Sequence, residues 1–273
     1  MNGLEAILTK KNRTKLWISG VIIFILAVLI ILVVYWIRSD NGNSKDQELN
    51  MPHDYVYSTV VASNRMELHY LRTRPSNIRL ESIHNNVTVA PFYGINGGFF
   101  YENALLSIAV MNDEPVNDTK GQYGAGEANA KYARGTLVWD GSLDQLNVQV
   151  VRQASELAVT DRSRFWAQGG ISMSLDREEQ WVDQITAESA PLPIAYCLRS
   201  AAVYDLDGNL YLIVSTTKGT LAEFREAIVE TVGDGQLVNG IFLDGDGSSQ
   251  LRSREAKLTG DGRLVVQMLS LIK

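Results

Sequence analysis

The feature that most constrains this chain is one apolar block: Leu16 to Ile37 is a run of 22 residues with no charged side chain. At about 1.5 Å of rise per residue, a helix of that length reaches ~33 Å, close to the hydrocarbon thickness of a bilayer. No polar face interrupts the run, so it does not read as an amphipathic helix resting on a soluble core. It exceeds the roughly 7 to 15 apolar residues of a signal peptide, and it ends in Tyr35-Trp36-Ile37-Arg38 rather than in small residues. Aromatic rings at that point suit a membrane interface. Lys10, Lys11, Arg13 and Lys15 precede the block, whereas Arg38 and Lys45 beyond it are offset by Asp40, Asp46 and Glu48. Positive charge stays on the cytoplasmic side. The expectation is a single-pass cell-membrane protein with an uncleaved anchor: 1–15 cytoplasmic, 16–37 spanning, 38–53 a polar linker, and 54–273 a domain outside.

Charge then narrows the partners of that outer domain. The chain has 25 Lys and Arg against 31 Asp and Glu, and residues 1–37 hold four of the former and one of the latter. The remainder therefore carries 21 basic and 30 acidic groups, a net charge of −9. Neutralising phosphates supplies most non-specific nucleic-acid affinity, so a domain this acidic is not expected to bind nucleic acid. Cys197 is the single cysteine, which excludes an intrachain disulfide or a multi-thiolate zinc site. His53, His69 and His84 have no zinc-motif spacing. The outer domain must be held by its own core, and about 220 residues suffice for one.

Short β-prone runs predict strands over Val56–Ala62, Met66–Arg72, Ile78–Ile83, Gly135–Trp139, Leu146–Val151 and Leu264–Ile272. Tyr196 to Ser215 reads as a hairpin whose turn, Asp205-Leu206-Asp207-Gly208-Asn209, contains the Asp-Gly pair of primed turns. A helix is expected after it: Thr220 and Glu223 form a capping box, Leu221, Phe224, Ile228 and Val232 make one apolar stripe, and Gly233 stops it. A second helix is expected near Arg152 to Thr160. The fold class is α+β: a single β-rich domain with few helices.

Two glycine-rich segments lie directly against strand-like sequence: Gly94-Ile95-Asn96-Gly97-Gly98-Phe99-Phe100, and Gly240 to Leu251 with Asp244-Gly245-Asp246-Gly247-Ser248-Ser249 at its centre. Glycine there permits close approach of backbone to a ligand, or equally a bulge and a tight turn. In the second segment consecutive N–H groups after a strand can form an anion-receiving nest, with Asp244 supplying a carboxylate at the strand end. Asp244-x-Asp246-x-Ser248 also matches part of a calcium loop, but Ser249 stands where that loop's sharp turn needs glycine and a strand precedes it where a helix is required. A divalent cation at Asp244 and Asp246 remains an open alternative; no other metal site is expected.

Four ordered landmarks resemble the phosphodiester glycosidase family related to N-acetylglucosamine-1-phosphodiester alpha-N-acetylglucosaminidase, the uncovering enzyme. Asn96-Gly97-Gly98-Phe99-Phe100 is similar to its Asn-Gly-Gly-Phe-Phe, and Gln168-Gly169-Gly170 to its Gln-Ser/Gly-Gly-Pro, with Ile171 where proline is usual. Arg199-Ser200-Ala201-Ala202 resembles its Arg-Thr/Asn-Ala-Val, and Leu243-Asp244-Gly245-Asp246-Gly247-Ser248-Ser249 its Leu-Asp-Gly-Gly-Gly-Ser-Ser, with Asp246 replacing the middle glycine. The resemblance implies hydrolysis of a glycosyl phosphodiester, or a related envelope glycan, at the sugar side, without a required cofactor. It implies catalytic roles for Asp244, Arg199 and Asn96, and substrate contacts from Gln168, Gly97, Gly98, Gly245, Asp246, Ser248 and Ser249. The expected substrate is a glycan or glycosyl phosphate. The alternative is a catalytically inert module that binds glycan or phosphate at the cell surface.

Overall fold

Short runs of Val, Ile, Leu and aromatic residues need a partner strand on each side to satisfy their backbone groups, and here every such pairing is antiparallel. The computed structural model describes residues 26–33 and 51–273. The expected span at 16–37 and the linker at 38–53 fall mostly outside the described residues; 26–33 are helical, and no helix among the described residues is long and apolar enough to cross a membrane.

The unit from Pro52 to Lys273 contains three principal sheets. The first runs, in spatial order, Val56–Val61, Glu67–Thr73, Leu210–Ser215, Ser200–Asp205, Leu237–Phe242 and Ile171–Ser172. The second is Gln145–Val151, Arg134–Asp140, Phe165–Gly169, Ala109–Met111 and Glu114–Pro115, and the third is Lys257–Leu258, Leu251–Arg252, Gly94–Asn96, Val265–Leu271 and Ile78–Asn85. All six strands expected from the β-prone runs are present, each within a residue or two of its predicted ends. The domain is β-rich with few helices, consistent with an α+β class.

Two α-helices belong to this unit, α1 (Trp181–Ala187) and α2 (Leu221–Thr231). Helix α2 starts where the capping box requires: Glu223 N donates to Thr220 Oγ1 at 3.2 Å, and Thr220 N donates to Glu223 Oε2 at 2.8 Å. Its buried Leu221, Phe224 and Ile228 pack on Leu68, Ile213 and Phe242 of the first sheet. Each large side chain so buried stabilises by about 1.5–3 kcal/mol, enough to fix the helix against the sheet.

Two local expectations change. The hairpin turn is a four-residue loop in which only Gly208 has positive φ (75°), not a two-residue primed turn. Asp205 organises it by accepting from Asn209 N at 2.8 Å. The helix expected at 152–160 is only a single 3-10 turn, Ala154–Glu156. Gln149 pins the chain beyond it with a pair of bonds to Ala158, at 2.9 and 2.8 Å, which helical backbone would not offer. Helix α1 gave little sequence signal, because it is seven residues long, lacks a side-chain cap and buries only Ile185.

Candidate active site

Strand register brings together two residues far apart in sequence. Ala201 stands opposite Phe242 in the first sheet, and Leu243 N donates to Ser200 O at 2.9 Å. One position further out, Arg199 and Asp244 leave the sheet side by side. Both line a cleft of about 180 Å³ shared with Phe99, Cys197, Asp246 and Arg263. Apolar Ile171, Leu192, Leu221, Phe242 and Leu243 also line it, which limits the hydration of the charges between them.

Asp244 shows the effect. Burial pushes its carboxyl up to about 6, opposed by Ser248 and Arg263 and assisted by Asp246. The Ser248 hydroxyl is buried beside it without reaching hydrogen-bond geometry to any partner. Arg199 is also desolvated, which pushes its guanidinium below the ordinary arginine value, although Cys197 and Asp246 oppose the shift. It stays cationic at neutral pH. Three of its donors hold neighbouring backbone: Nε donates to Gly219 O at 3.0 Å, and Nη2 to Leu192 O at 2.9 Å and Ala195 O at 2.5 Å.

Asn96 touches the site from behind. Its Nδ2 donates to Asp244 O at 2.8 Å and Gly97 O at 3.2 Å, while Oδ1 accepts from Ser200 Oγ at 2.9 Å and Gln250 N at 3.1 Å. An amide has two donors and two lone pairs, so all four positions are spent inside the protein. Asp244 N in turn donates to Gly97 O at 3.2 Å. Asn96 thus holds the Asp244 carbonyl while Gly97 O takes its N–H, and Asn96 lies behind the cleft wall.

Gly97, Gly98 and Gln168 also lie behind that wall. A Cβ at Gly97 would stand 1.7 Å from Gln267 Oε1, and one at Gly98 2.2 Å from Ser107 Oγ and 2.7 Å from Gln168 Nε2. Protein side chains occupy the space these glycines leave. Gln168 is fully buried and donates to Gly169 O at 3.0 Å, while its Oε1 has no partner. Gly245 lines the cleft and passes close to Leu198 O, where a Cβ would come within 2.9 Å. Ser249 is buried and its hydroxyl pairs with Ser200 Oγ at 3.1 Å, donating to it because the Ser200 proton is committed to Asn96.

Asp246 sits at the cleft mouth with φ of +54°. Its carboxylate is 3.7 Å from Arg263 Nη2. Among the described residues no three His, Cys, Asp or Glu side chains gather to hold a metal. Sequence reading missed Arg263 altogether. The chain after Gly260 returns to the glycine-rich loop, where Asp261 N donates to Gly247 O at 3.2 Å, and only that return brings Arg263 to the site.

No family model matches the sequence, and no curated protein does. Among solved structures, the catalytic domain of zebrafish N-acetylglucosamine-1-phosphodiester alpha-N-acetylglucosaminidase, auto-inhibited by its pro-peptide, is similar over 80% of this chain and 82% of that one. Its TM-score is 0.56 at 14% identity. The chain shares that fold. A hypothetical protein from Synechocystis aligns with 79% of this chain and 61% of its own, at 15% identity and a TM-score of 0.40. The first likeness shows architecture alone, because one fold hosts many chemistries.

Proposed function

We propose that the protein is a membrane-anchored hydrolase that cleaves a glycosyl phosphodiester, or a related envelope glycan, at the sugar side. The observation that carries this reading is Asp244, a carboxyl raised to about 6 in a cleft it shares with two arginines, within a fold similar to a phosphodiester glycosidase catalytic domain. A phosphodiester departs as a weakly basic anion and needs little protonation, so the chemistry asks for a cation at the phosphate and a carboxylate at the sugar carbon. At neutral pH Asp244 is mostly ionised. It faces the developing oxocarbenium ion or activates the water that attacks it, while arginine charge stabilises the departing phosphate. Asn96 is a positioning residue acting through the Asp244 peptide, and Gln168, Gly97 and Gly98 support the wall from behind.

The test is to incubate the full-length chain, purified in detergent, with a panel of glycosyl phosphodiesters and to measure free sugar and phosphomonoester. Turnover that disappears in Asp244→Asn is expected. Saturable binding without turnover on every member would overturn the hydrolase reading in favour of an inert glycan- or phosphate-binding module. The anchor at 16–37, with the domain outside, predicts that protease added to intact cells removes residues 54–273. Protection until the membrane is permeabilised would refute that topology.

A further inference from the structure

Two arginines line the cleft, and they differ in exposure and in what holds them: Arg199 is buried and Arg263 is half-exposed. Arg199 spends Nε and Nη2 on three carbonyls of its own surroundings. Arg263 spends its Nε and Nη2 on one carboxylate, that of Asp261, with contacts of 3.0, 3.0 and 2.5 Å. That pair is seated on the face of Gly247, where a Cβ would come within 2.1 Å of Asp261 Oδ2 and 2.5 Å of Arg263 Nε. The Arg263 backbone is held as well, since Arg263 O accepts from Gln250 Nε2 at 2.9 Å and Arg263 N donates to Asp261 Oδ1 at 3.0 Å. The guanidinium is therefore anchored along one edge and half-exposed at the cleft.

A second carboxylate approaches it loosely. Asp246 Oδ2 lies 3.7 Å from Nη2, beyond hydrogen-bond distance but well within Coulombic reach. Asp246 holds a left-handed φ of +54°, a conformation that glycine adopts without steric cost. Nothing in its backbone contacts calls for a side chain, because the peptide N–H that donates to Leu198 O at 2.7 Å would be present in any residue but proline. What the aspartate adds is charge opposite Arg263. Asp261 holds the arginine in place, and Asp246 adds a second, looser negative charge beside the same Nη2.

We infer that Arg263 is the anion-receiving cation of the cleft and that Asp246 is its resident counter-ion, which a phosphodiester group must displace to bind. The inference rests on the proposed reading for its ligand class, but it concerns binding alone. With Asp246 beside it, the site's two arginines face three carboxylates, Asp244, Asp246 and the Asp261 that anchors Arg263, so an entering anion is repelled until Asp246 has moved away. An entering phosphate replaces one loose carboxylate with oxygens that can meet the Arg263 donors Asp261 does not engage.

The test titrates the full-length chain in detergent with dimethyl phosphate, a phosphodiester monoanion without a glycosidic bond, and follows thermal stabilisation to obtain Kd. Asp246→Gly is expected to bind about tenfold tighter, and Asp246→Asn to follow it, because a repelling charge leaves the anion's path. Arg263→Gln should weaken binding about tenfold or more, with Arg263→Lys in between. In the Asp246→Gly/Arg263→Gln double variant the gain should vanish. Folded Asp246→Gly and Asp246→Asn proteins with unchanged or weaker Kd would overturn the inference, as would a gain that survives Arg263→Gln and so belongs to Arg199. Arg263→Lys and the Asp246 variants keep the test valid if Arg263→Gln does not fold. Dimethyl phosphate is no glycosidase substrate, so failure of the hydrolase reading leaves these results standing, and turnover with unaltered anion binding would sink only the counter-ion role.

Discussion

Gly94 to Gly98 and Asp244 to Ser249 are both segments rich in small residues at strand ends, yet the first is saturated by the protein's own groups and the second carries unspent charge. In the first, the Asn96 amide makes four internal bonds and the glycines are closed over by Leu269, Gln267 and Ser107. In the second, Asp244 is desolvated, Ser248 Oγ has no partner, and Asp246 meets Arg263 only at 3.7 Å. Glycine content alone does not separate scaffold from chemistry. Saturation does: a group whose donors and acceptors are all paired inside the protein has nothing left with which to recognise a ligand.

The comparison breaks most sharply at Asp244. Asp244→Asn preserves shape and removes charge, so hydrolysis should fall about a thousandfold or more while circular dichroism stays unchanged. If turnover persists and is lost instead in Asp246→Gly, the carboxylate has been assigned to the wrong aspartate. In wild type, kcat/KM should rise with pH through about 6 as Asp244 ionises. A descending limb there would make Asp244 a general acid.

The converse experiment strikes the first segment. A Cβ at Gly94 would lie 1.9 Å from Leu269 O, at a φ of +148° that side chains rarely adopt, and one at Gly97 would meet Gln267 Oε1. Gln267 cannot swing aside, because it is buried and its Nε2 donates to Met268 O at 2.8 Å. Gly94→Ala should cost about 3–4 kcal/mol in denaturant unfolding, and Gly97→Ala somewhat less. A cost under about 1 kcal/mol for Gly94→Ala would mean that this strand end is not closed as described.

How much of this was legible beforehand follows the same division. Strands, the hairpin and helix α2 came from local patterns, and local patterns survive without knowledge of distant neighbours: Thr220 and Glu223 are three residues apart and cap the helix by themselves. Asp244 and Arg199 were marked as site candidates, and their proximity follows from the register of two strands. Arg263 carried no local signal, since its place depends on Asp261 reaching back to Gly247. The 152–160 segment misled because Glu156, which reads as a helix former, instead accepts from Arg152 N at 2.8 Å and closes a turn. Gln168 and the Gly97–Gly98 pair read as ligand contacts because a sequence cannot show which side of a wall a residue faces.

Asn96 joins the two segments, and its replacement sharpens the contrast at an intermediate size. Asn96→Ala strands Gln250 N and Asp244 O without their buried partners, which should cost about 2–3 kcal/mol. A purely structural asparagine would leave the pH profile of the residual activity where it was. A positioning role predicts that the ascending limb moves, because the Asp244 carboxyl then sits in a different environment.

The smallest expected effect is also the one that ties the charged segment to folding. The folded-state pKa of Asp244, about 6, lies above the unfolded aspartate value of about 3.9, so between these pH values the folded chain binds more protons than the unfolded one. Stability must then fall as pH rises from about 4 through 6 and remain lowered above it. The shift sets an upper bound of about 3 kcal/mol, from which solvent reaching the cleft subtracts. The amide introduced by Asp244→Asn cannot titrate. That variant should therefore match wild type at about pH 3, where the Asp244 carboxyl is protonated in both states, and exceed it by about 1–2 kcal/mol at about pH 7.5. Paired thermal melts across that range measure the difference. A variant that is less stable than wild type at the upper end of that range would show that Arg263 and Ser248 outweigh desolvation, and Asp244 would then belong with the saturated, structural segment.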